Sequence, residues 1–280
     1  MSGNSSGPET DAAPRREPLA SRPDWRLPAG VARGSWDYFR SASIAEDYDA
    51  YFACNSLFET DVAVLQEHFA KPGLVADLGC GTGRALTPLV RAGHRGLAVD
   101  LSPHMLRMVR EKAAQEQLPI RCVQANLVEL DALRDASVDY AMCLFSTLGM
   151  IRGRAHRRRA LGHVRRIVAP DGCFVLHVHN FWFNLRDPGC RWDVVRSFAA
   201  ALRRRDVEVG DKWFPYRGLP NMFLHLFRWR ELAADLRWAG WRVERRLALD
   251  WERRRPLRCA WWLGSLRANG WIVVCRPRVR

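Results

Sequence analysis

The chain has 280 residues, of which 48% are hydrophobic, and its formal net charge is +14. This length and composition fit one large α/β domain with an insertion better than two independent domains. No apolar run approaches the length that spans a bilayer, and the eight cysteines contain no C-x-x-C pair, so neither a membrane protein, a zinc site nor a disulfide framework is indicated.

The first residues lack the apolar core of a signal peptide, and three acidic residues there (Glu9, Asp11 and Glu17) argue against an organellar transit sequence. We therefore expect a cytoplasmic protein, either a monomer or a dimer, with no membrane partner.

Positive charge is concentrated in the second half of the chain. Residues 151–280 hold 29 Lys and Arg against 11 Asp and Glu, whereas residues 1–150 hold 15 against 19. Ten of the twelve tryptophans also follow residue 180. Arginine interleaved with tryptophan can stack nucleic-acid bases, but it also describes an aromatic-packed segment with solvated arginines around it.

Two segments precede the first predicted strand. Residues 1–32 are rich in Ser, Gly, Pro and Arg without periodic apolar positions, which predicts a disordered tail. From Trp36 to Phe69 apolar residues recur at helical spacing, which predicts two helices in a cap over residues 33–70.

The stretch that organises the chain is an apolar strand, Leu74 to Leu78, followed by a glycine turn and a helix. Gly79, Gly81 and Gly83 permit positive φ and let a ligand lie against the backbone. The helix after the turn offers unpaired N–H groups to an anionic group. The spacing is G-x-G-x-G with Arg84 next, which departs from the G-x-G-x-x-G pattern of dinucleotide sites.

Strands and helices alternate after this turn. Ser102 before Pro103 is typical of a helix N-terminus. The remaining strands are predicted at 96–99, 119–124, 138–144, 172–179, 241–249 and 271–275, with helices at about 102–117, 153–168 and 228–239. This alternation predicts a doubly wound, mostly parallel seven-stranded α/β sheet whose ligands bind at the carboxyl ends of the strands. Residues 33–280 would form this domain, with an irregular insertion on the acceptor side at 181–226.

Four motifs resemble those of the class I, Rossmann-like S-adenosylmethionine-dependent methyltransferases. An acidic residue precedes G-x-G-x-G at Asp77, and a second strand, Gly96-Leu-Ala-Val-Asp100, ends in a carboxylate. The segments Asp100 to Met105, Gln124 to Leu127 and Ser137 to Gly149 resemble the family's second, third and fourth motifs. The resemblance covers about residues 40 to 180 and implies that the last two strands pair antiparallel.

The resemblance also implies S-adenosylmethionine as the cofactor, with its methionine part near Asp77 and Gly79 to Gly83, its ribose on Asp100 and its adenine near Met105. Asn126 stands where the family commonly has Asp, and its side-chain oxygen can still meet the adenine amino group. The cofactor-binding residues expected on this basis are Asp77, Gly79, Cys80, Gly81, Gly83, Asp100, Leu101, Met105, Asn126, Leu127 and Cys143.

On the acceptor side, the resemblance places the residues after strand four near the transferred methyl, which selects Phe145 and Ser146. It also makes Tyr48 and Tyr51 candidates for closing the site, although an aromatic stripe is equally consistent with a plain core.

Two histidines lie at the end of the fifth strand, where period-two alternation puts His177 and His179 on one face. His179, nearer the carboxyl end, is the candidate base or acceptor-orienting group. Both could instead be structural, and a metal site would need a third ligand that the sequence does not show, so no metal is predicted.

The predicted function is transfer of a methyl group to a small-molecule acceptor. One alternative is an RNA acceptor, because residues 222–232 faintly resemble a segment of wobble-uridine tRNA methyltransferases and the second half is basic. In that case the run Arg253 to Arg255, in the last inter-strand connection, would contact phosphates, and a small acceptor would not need it. The other alternative is a protein that binds S-adenosylmethionine without transferring its methyl group.

Overall fold

The computed structural model describes residues 23–49, 57–186 and 188–278. The helices in these ranges are α1 (Arg33–Arg40), α2 (Ala42–Glu46), α3 (Leu57–His68), α4 (Leu86–Arg91), α5 (Pro103–Gln115), α6 (Arg154–Ile167), α7 (Arg191–Arg203), α8 (Trp229–Trp238) and α9 (Gly264–Arg267). The strands are β1 (Leu74–Leu78), β2 (Arg95–Asp100), β3 (Ile120–Gln124), β4 (Val138–Cys143), β5 (Val168–His179), β6 (Asp211–Tyr216), β7 (Leu219–His225), β8 (Trp241–Ala248) and β9 (Gly270–Pro277). None of these helices is long and apolar enough to cross a bilayer.

Seven strands form one sheet in the order β3-β2-β1-β4-β5-β9-β8. Strands β1 to β5 are parallel to their neighbours, and β9 runs antiparallel to both β5 and β8. The predicted doubly wound, mostly parallel seven-stranded sheet is thus confirmed, including the antiparallel pairing of its last two strands.

Helices cover both faces of the sheet, which is why its strands are so apolar. On one face Leu65 of α3, Leu86 of α4 and Leu106 of α5 are buried in a common cluster. On the other face Leu161 of α6 and Leu232 of α8 are buried with the opposite sides of the strands. Burial on two sides fixes the sheet as a rigid platform for the loops at its carboxyl edge.

The strand order reverses between β1 and β4, which are neighbours although β2 and β3 separate them in the chain. Ligands of open α/β sheets bind in the crevice outside such a reversal point. The glycine turn follows β1, and helix α5 begins after β2 with Ser102 Oγ accepting the Met105 N–H at 3.3 Å. The predicted helix cap is therefore present, and it places the start of α5 at the same edge.

Segment 181–226 is more regular than its sequence suggested. It contains the 13-residue helix α7 and an antiparallel hairpin of β6 and β7. The hairpin turns at Arg217 and Gly218, both with positive φ, and Tyr216 pairs with Leu219 across the turn. Two central residues with positive φ are typical of a tight hairpin turn, so the Arg-Gly pair was the missed signal.

The prediction of a disordered tail up to residue 32 does not hold for residues 23–32. Val31 forms a β-bridge with Ile151, and the Asn126 side chain donates to the Ala29 carbonyl at 2.9 Å. Arg152 donates its backbone N–H to the Gly30 carbonyl at 2.7 Å. These partners lie about 100 residues away, so the local composition did not reveal them.

Segment 181–226 is joined to the sheet domain by a buried cluster that we call the Arg157 network: Arg157, Glu208, Asp211, His225 and Glu231. Arg157 of α6 is fully buried and pairs with Glu208 and, at 3.4 Å, with Glu231 of α8. His225 of β7 hydrogen-bonds Asp211 through Nδ1 at 2.7 Å and Glu231 through Nε2 at 2.8 Å. The network therefore ties the hairpin to two helices of the core.

The charges in this network are balanced within it. Burial lowers the pKa of His225, but hydrogen bonds to Asp211 and Glu231 outweigh burial and raise it overall. Glu208, Asp211 and His225 also bring three ligand atoms close together, a grouping that could hold a metal ion. Here, however, both ring nitrogens of His225 already bond to carboxylates and the cation among them is Arg157.

Candidate functional site

A cavity of about 770 Å³ opens at the carboxyl edge of the sheet. Its walls come from the ends of β1, β2, β4 and β5, from α1 and from the β6–β7 hairpin. Most of the residues predicted to hold the cofactor line it: Asp77, Gly79, Cys80, Gly81, Asp100, Leu101, Met105, Asn126 and Leu127. Of the predicted acceptor-side residues, Phe145 and His179 line it as well.

The glycine turn is shaped by positive φ at all three glycines. A Cβ at Gly79 would lie 2.3 Å from Thr147 Cγ2, so β1 and the end of β4 approach each other too closely for a side chain. A Cβ at Gly81 would meet only the Tyr48 ring, at 3.8 Å, on the cavity wall. Gly83 packs against Val109 of α5 and does not line the cavity.

Asp77 is buried on the cavity wall, and its Oδ2 atom has no hydrogen-bond partner among the described residues. Burial, together with the neighbouring Asp100 carboxylate, raises the pKa of Asp77 to about 8. A buried carboxyl group without a partner is costly, and an ammonium group in the cavity would relieve that cost.

Asp100, at the end of β2, holds the turn in place. Its Oδ2 accepts the Gly81 N–H at 2.9 Å and its Oδ1 accepts the Ser102 N–H at 2.8 Å. Burial raises the pKa of Asp100 to about 6, although these backbone hydrogen bonds act in the opposite direction. A carboxylate has about four lone-pair positions, so two remain for a ligand such as a ribose diol.

The N-terminal cap is fastened to the glycine turn by Asp49. Thr82 Oγ1 donates to Asp49 Oδ1, and the Lys112 ammonium of α5 pairs with the other carboxylate oxygen. Lys112 also donates to the Thr82 carbonyl at 3.1 Å. The adjacent Tyr48 consequently lies on the cavity wall, as expected, whereas Tyr51 falls outside the described residues.

Asn126 has a structural role beside its predicted one. Its amide donates to the Ala29 carbonyl, and its oxygen accepts the Val128 N–H at 3.2 Å. The second lone pair of that oxygen can still accept from an adenine amino group.

Two strained residues follow β4. Phe145 and Ser146 have φ of 51° and 64°, a region that residues with side chains rarely adopt. Phe145 faces the cavity, whereas Ser146 is fully buried and its Oγ accepts the His179 N–H at 3.3 Å. Cys143 is also buried, in the core cluster, and does not line the cavity. Ser146 and Cys143 therefore support the wall from behind.

The two histidines of β5 have different surroundings. His177 is buried, and its Nδ1 bonds to the buried Asp61 of α3 at 2.9 Å. His179 lines the cavity, and its Nε2 accepts a hydrogen bond from the Arg253 guanidinium. Burial, then Arg253 and His177, lower the pKa of His179 well below its usual value. The His179 imidazole is therefore neutral at pH 7.

Three basic residues on the cavity wall were not selected from the sequence: Arg84, Lys212 and Arg253. Arg84 directly follows the glycine turn, a position that could have drawn attention to it. Lys212 is neutralised by Asp193 at 2.9 Å. Arg253 belongs to the run Arg253 to Arg255, whose other two members are exposed.

The described residues fit the cofactor that the motifs imply. The unpartnered Asp77 Oδ2 suits the ammonium of an amino acid, and the cradle at Gly81 leaves space that a side chain would fill. Asp100 retains acceptor capacity for hydroxyl groups, and Met105 and Leu127 add apolar contact surface.

Comparison with known proteins agrees with this fit. Residues 75–172 match a family model described as a methyltransferase domain. The malonyl-[acyl-carrier protein] O-methyltransferase of Halorhodospira halophila is 35% identical over 126 residues, which cover 40% of this chain and 41% of that protein. The chain spans about half or less of the length of the curated relatives it matches.

Two solved structures share the fold. A SAM-dependent methyltransferase from Methanosarcina mazei superposes with a TM-score of 0.64 at 17% identity, covering 78% of this chain and 98% of that one. The Burkholderia thailandensis 1,6-didemethyltoxoflavin-N1-methyltransferase, solved with S-adenosylhomocysteine, gives 0.58 at 19% identity and covers 87% of each chain. With the motifs, the sheet order and the matching domain together, this chain belongs to the class I S-adenosylmethionine-dependent methyltransferases, enzymes whose cofactor is S-adenosylmethionine.

Proposed function

We propose that this protein transfers the methyl group of S-adenosylmethionine to a small molecule that binds beside the β6–β7 hairpin. The observation that carries the proposal is the composition of that wall. Six hairpin side chains line the cavity together with the glycine turn: Lys212, Phe214, Tyr216, Met222, Phe223 and Leu224. Mostly apolar and aromatic walls with a few polar groups, around a volume of about 300–1,000 Å³, are typical of small-molecule sites.

The bound cofactor would supply an electrophilic methyl carbon on a sulfonium. Transfer then depends mainly on holding the acceptor in line and keeping water out, and apolar residues such as Phe145, Phe214 and Phe223 suit that task. Asp77, Asp100 and the glycine turn would hold the cofactor. His179, neutral and on the wall, would orient the acceptor or take a proton from it.

The direct test uses methyl-labelled S-adenosylmethionine, incubated separately with a metabolite extract and with total RNA. We expect label in small molecules of the extract and binding of S-adenosylmethionine without binding of NAD. Label confined to RNA would contradict the small-molecule acceptor, and cofactor binding without label anywhere would indicate a protein that binds the cofactor but does not transfer its methyl group.

Cofactor binding is expected to depend on pH through Asp77. The ligand-free carboxyl group, with a pKa of about 8, must lose its proton to pair with an ammonium, so binding releases a proton below pH 8. Affinity for S-adenosylhomocysteine should therefore rise with pH, by up to about tenfold between pH 6.5 and 7.5. Titration calorimetry in two buffers of different ionisation enthalpy measures both quantities. Asp77→Asn is the control: it should bind more weakly and lose the pH dependence, and an unchanged slope in this variant would refute the assignment.

An RNA acceptor is the second candidate, favoured by the basic second half of the chain. Several of its arginines are already neutralised, since Arg154 and Arg158 both pair with Asp235 and Arg276 pairs with Glu244. The histidine of the tRNA-methyltransferase-like segment, His225, is fully buried in the Arg157 network. Both observations support the small-molecule acceptor.

We expect the affinity for bulk tRNA to be weak, and little changed when Arg254 and Arg255 are both replaced by alanine. A multi-phosphate footprint would instead give a log–log salt slope of several units, reduced by up to about one unit for each phosphate that is no longer neutralised. Arg253 is left intact in this variant because its side chain lines the cavity. Its position corrects the expectation that the whole run can be removed without affecting a small acceptor.

A further inference from the structure

The turn that follows β8 directs one arginine inward and two outward. The turn is closed by a bridge between Leu249 and Pro256, and Asp250 Oδ1 accepts the N–H groups of Arg254 at 3.0 Å and Arg255 at 3.4 Å. Arg253, at its tip, has a φ of 60°, which is unfavourable for a residue with a side chain. Its neighbours are exposed, whereas the Arg253 side chain is partly buried and lines the cavity.

Arg253 lacks a negative partner among the described residues. Its Nη1 donates to His179 Nε2, which is uncharged, and its Nε is buried without a hydrogen-bond acceptor. The adjacent Arg254 pairs with Glu252 at 3.4 Å, and the cavity's Lys212 pairs with Asp193. Arg253 is therefore a desolvated cation whose charge the protein itself does not neutralise with an ion pair.

The acidic residues of the cavity wall are elsewhere. Asp77 and Asp100 lie at the ends of β1 and β2, where they contact the glycine turn and face the cofactor part of the cavity. Arg253 instead contacts the end of β5, beyond β4 in the sheet. A ligand that neutralises Arg253 must therefore carry its own anionic group into the acceptor part of the cavity.

We propose that the methyl acceptor carries a carboxylate and that Arg253 binds it. A guanidinium offers N–H donors in a planar fork that matches the two oxygens of a carboxylate, and such pairs are strong where water is excluded. His179 acts here as a positioning residue, because its lone pair fixes the orientation of the guanidinium. The inference rests on the proposed methyl transfer but names the acceptor's chemical class.

The binding test compares acids with their amides, which have the same shape but no charge. Thermal shifts of the protein saturated with S-adenosylhomocysteine are measured with benzoate against benzamide and hexanoate against hexanamide. We expect larger shifts with the acids. Arg253→Met should weaken acid binding by a factor of about 30 or more, whereas the matched control Arg254→Met should leave it unchanged. Equal shifts for acids and amides, or an unaffected Arg253→Met variant, would overturn the proposal.

Two further measurements separate the possible failures. Calorimetry should give the same S-adenosylhomocysteine affinity for wild type and Arg253→Met. A large loss in that variant, with Arg253→Lys failing to restore it, would mean that Arg253 serves the cofactor or the fold and would overturn the acceptor role.

Labelled S-adenosylmethionine is then offered to anion-exchange fractions of a metabolite extract, and label is expected in the acidic fraction only. Label in the neutral fraction alone would leave methyl transfer standing and overturn the carboxylate. Arg253-dependent acid binding without label in any fraction would retain the acid site and refute methyl transfer.

Discussion

Replacing Gly81 with valine is expected to raise the dissociation constant for S-adenosylhomocysteine by about 100-fold or more, equivalent to about 2.7 kcal/mol. Gly81 has a φ of 52°, a conformation that costs a residue with a side chain about 1–2 kcal/mol. Its Cβ would also project beside Tyr48 on the cavity wall, where the backbone must meet the ligand directly. Titration calorimetry measures the change.

Gly93 provides the matched control for this variant. Its φ of 103° imposes a similar backbone penalty, but a Cβ there would meet nothing within 4 Å and it does not line the cavity. Gly93→Ala should therefore lower the free energy of unfolding by about 1 kcal/mol while leaving cofactor affinity unchanged. Near-wild-type binding by Gly81→Val would show that the cofactor does not approach the glycine turn.

Replacing His179 with alanine is expected to lower turnover by about 10²–10⁴-fold, with cofactor affinity changed less than about twofold. The imidazole lines the cavity and orients Arg253, so its loss removes both a polar contact and the support of the guanidinium. Turnover is measured on the extract fraction that accepts label. Full turnover by the variant would mean that His179 only stabilises the wall.

The pH profile gives an independent check on His179. Because its pKa is well below the usual value, the folded protein keeps it neutral while an unfolded chain takes up a proton below about pH 6.5. Its contribution to the free energy of unfolding is therefore present at neutral pH and is lost as pH falls. The activity should likewise show no His179 step between pH 6.5 and 8.

His177 is the natural comparison, because it lies two residues earlier on the same strand. His177→Ala should alter turnover less than His179→Ala, but it leaves the buried Asp61 without its partner and should destabilise the protein by about 3–5 kcal/mol. Thermal unfolding and turnover measured on the same samples separate the two effects.

The sequence predicted those parts of the site that lie next to a strand end. The glycine turn, Asp100 and the Ser102 helix cap are each determined by a few adjacent residues, so spacing was sufficient to find them. Alternating strands and helices then implied a parallel sheet, and parallel strands bring their carboxyl ends to one edge.

The parts that were missed depend on contacts between distant residues. Arg253 reaches His179 across 74 positions, and His177 reaches Asp61 across 116. In the sequence Arg253 is indistinguishable from Arg254 and Arg255, and only the left-handed backbone at the tip of the turn separates their directions. The ordering of residues 23–32 likewise depends on Asn126 and Arg152, far along the chain.

The Arg157 network limits how the protein can be shortened. Glu208, Asp211 and His225 all belong to segment 181–226, whereas Arg157 is on α6. Deleting the segment would leave a fully buried guanidinium with Glu231 at 3.4 Å as its remaining carboxylate in the network. An uncompensated buried charge costs about 3–5 kcal/mol, a large share of the 5–15 kcal/mol that keeps a domain folded. The segment therefore cannot be trimmed to give a minimal catalytic module, and acceptor preference has to be re-engineered by point substitutions on the hairpin wall.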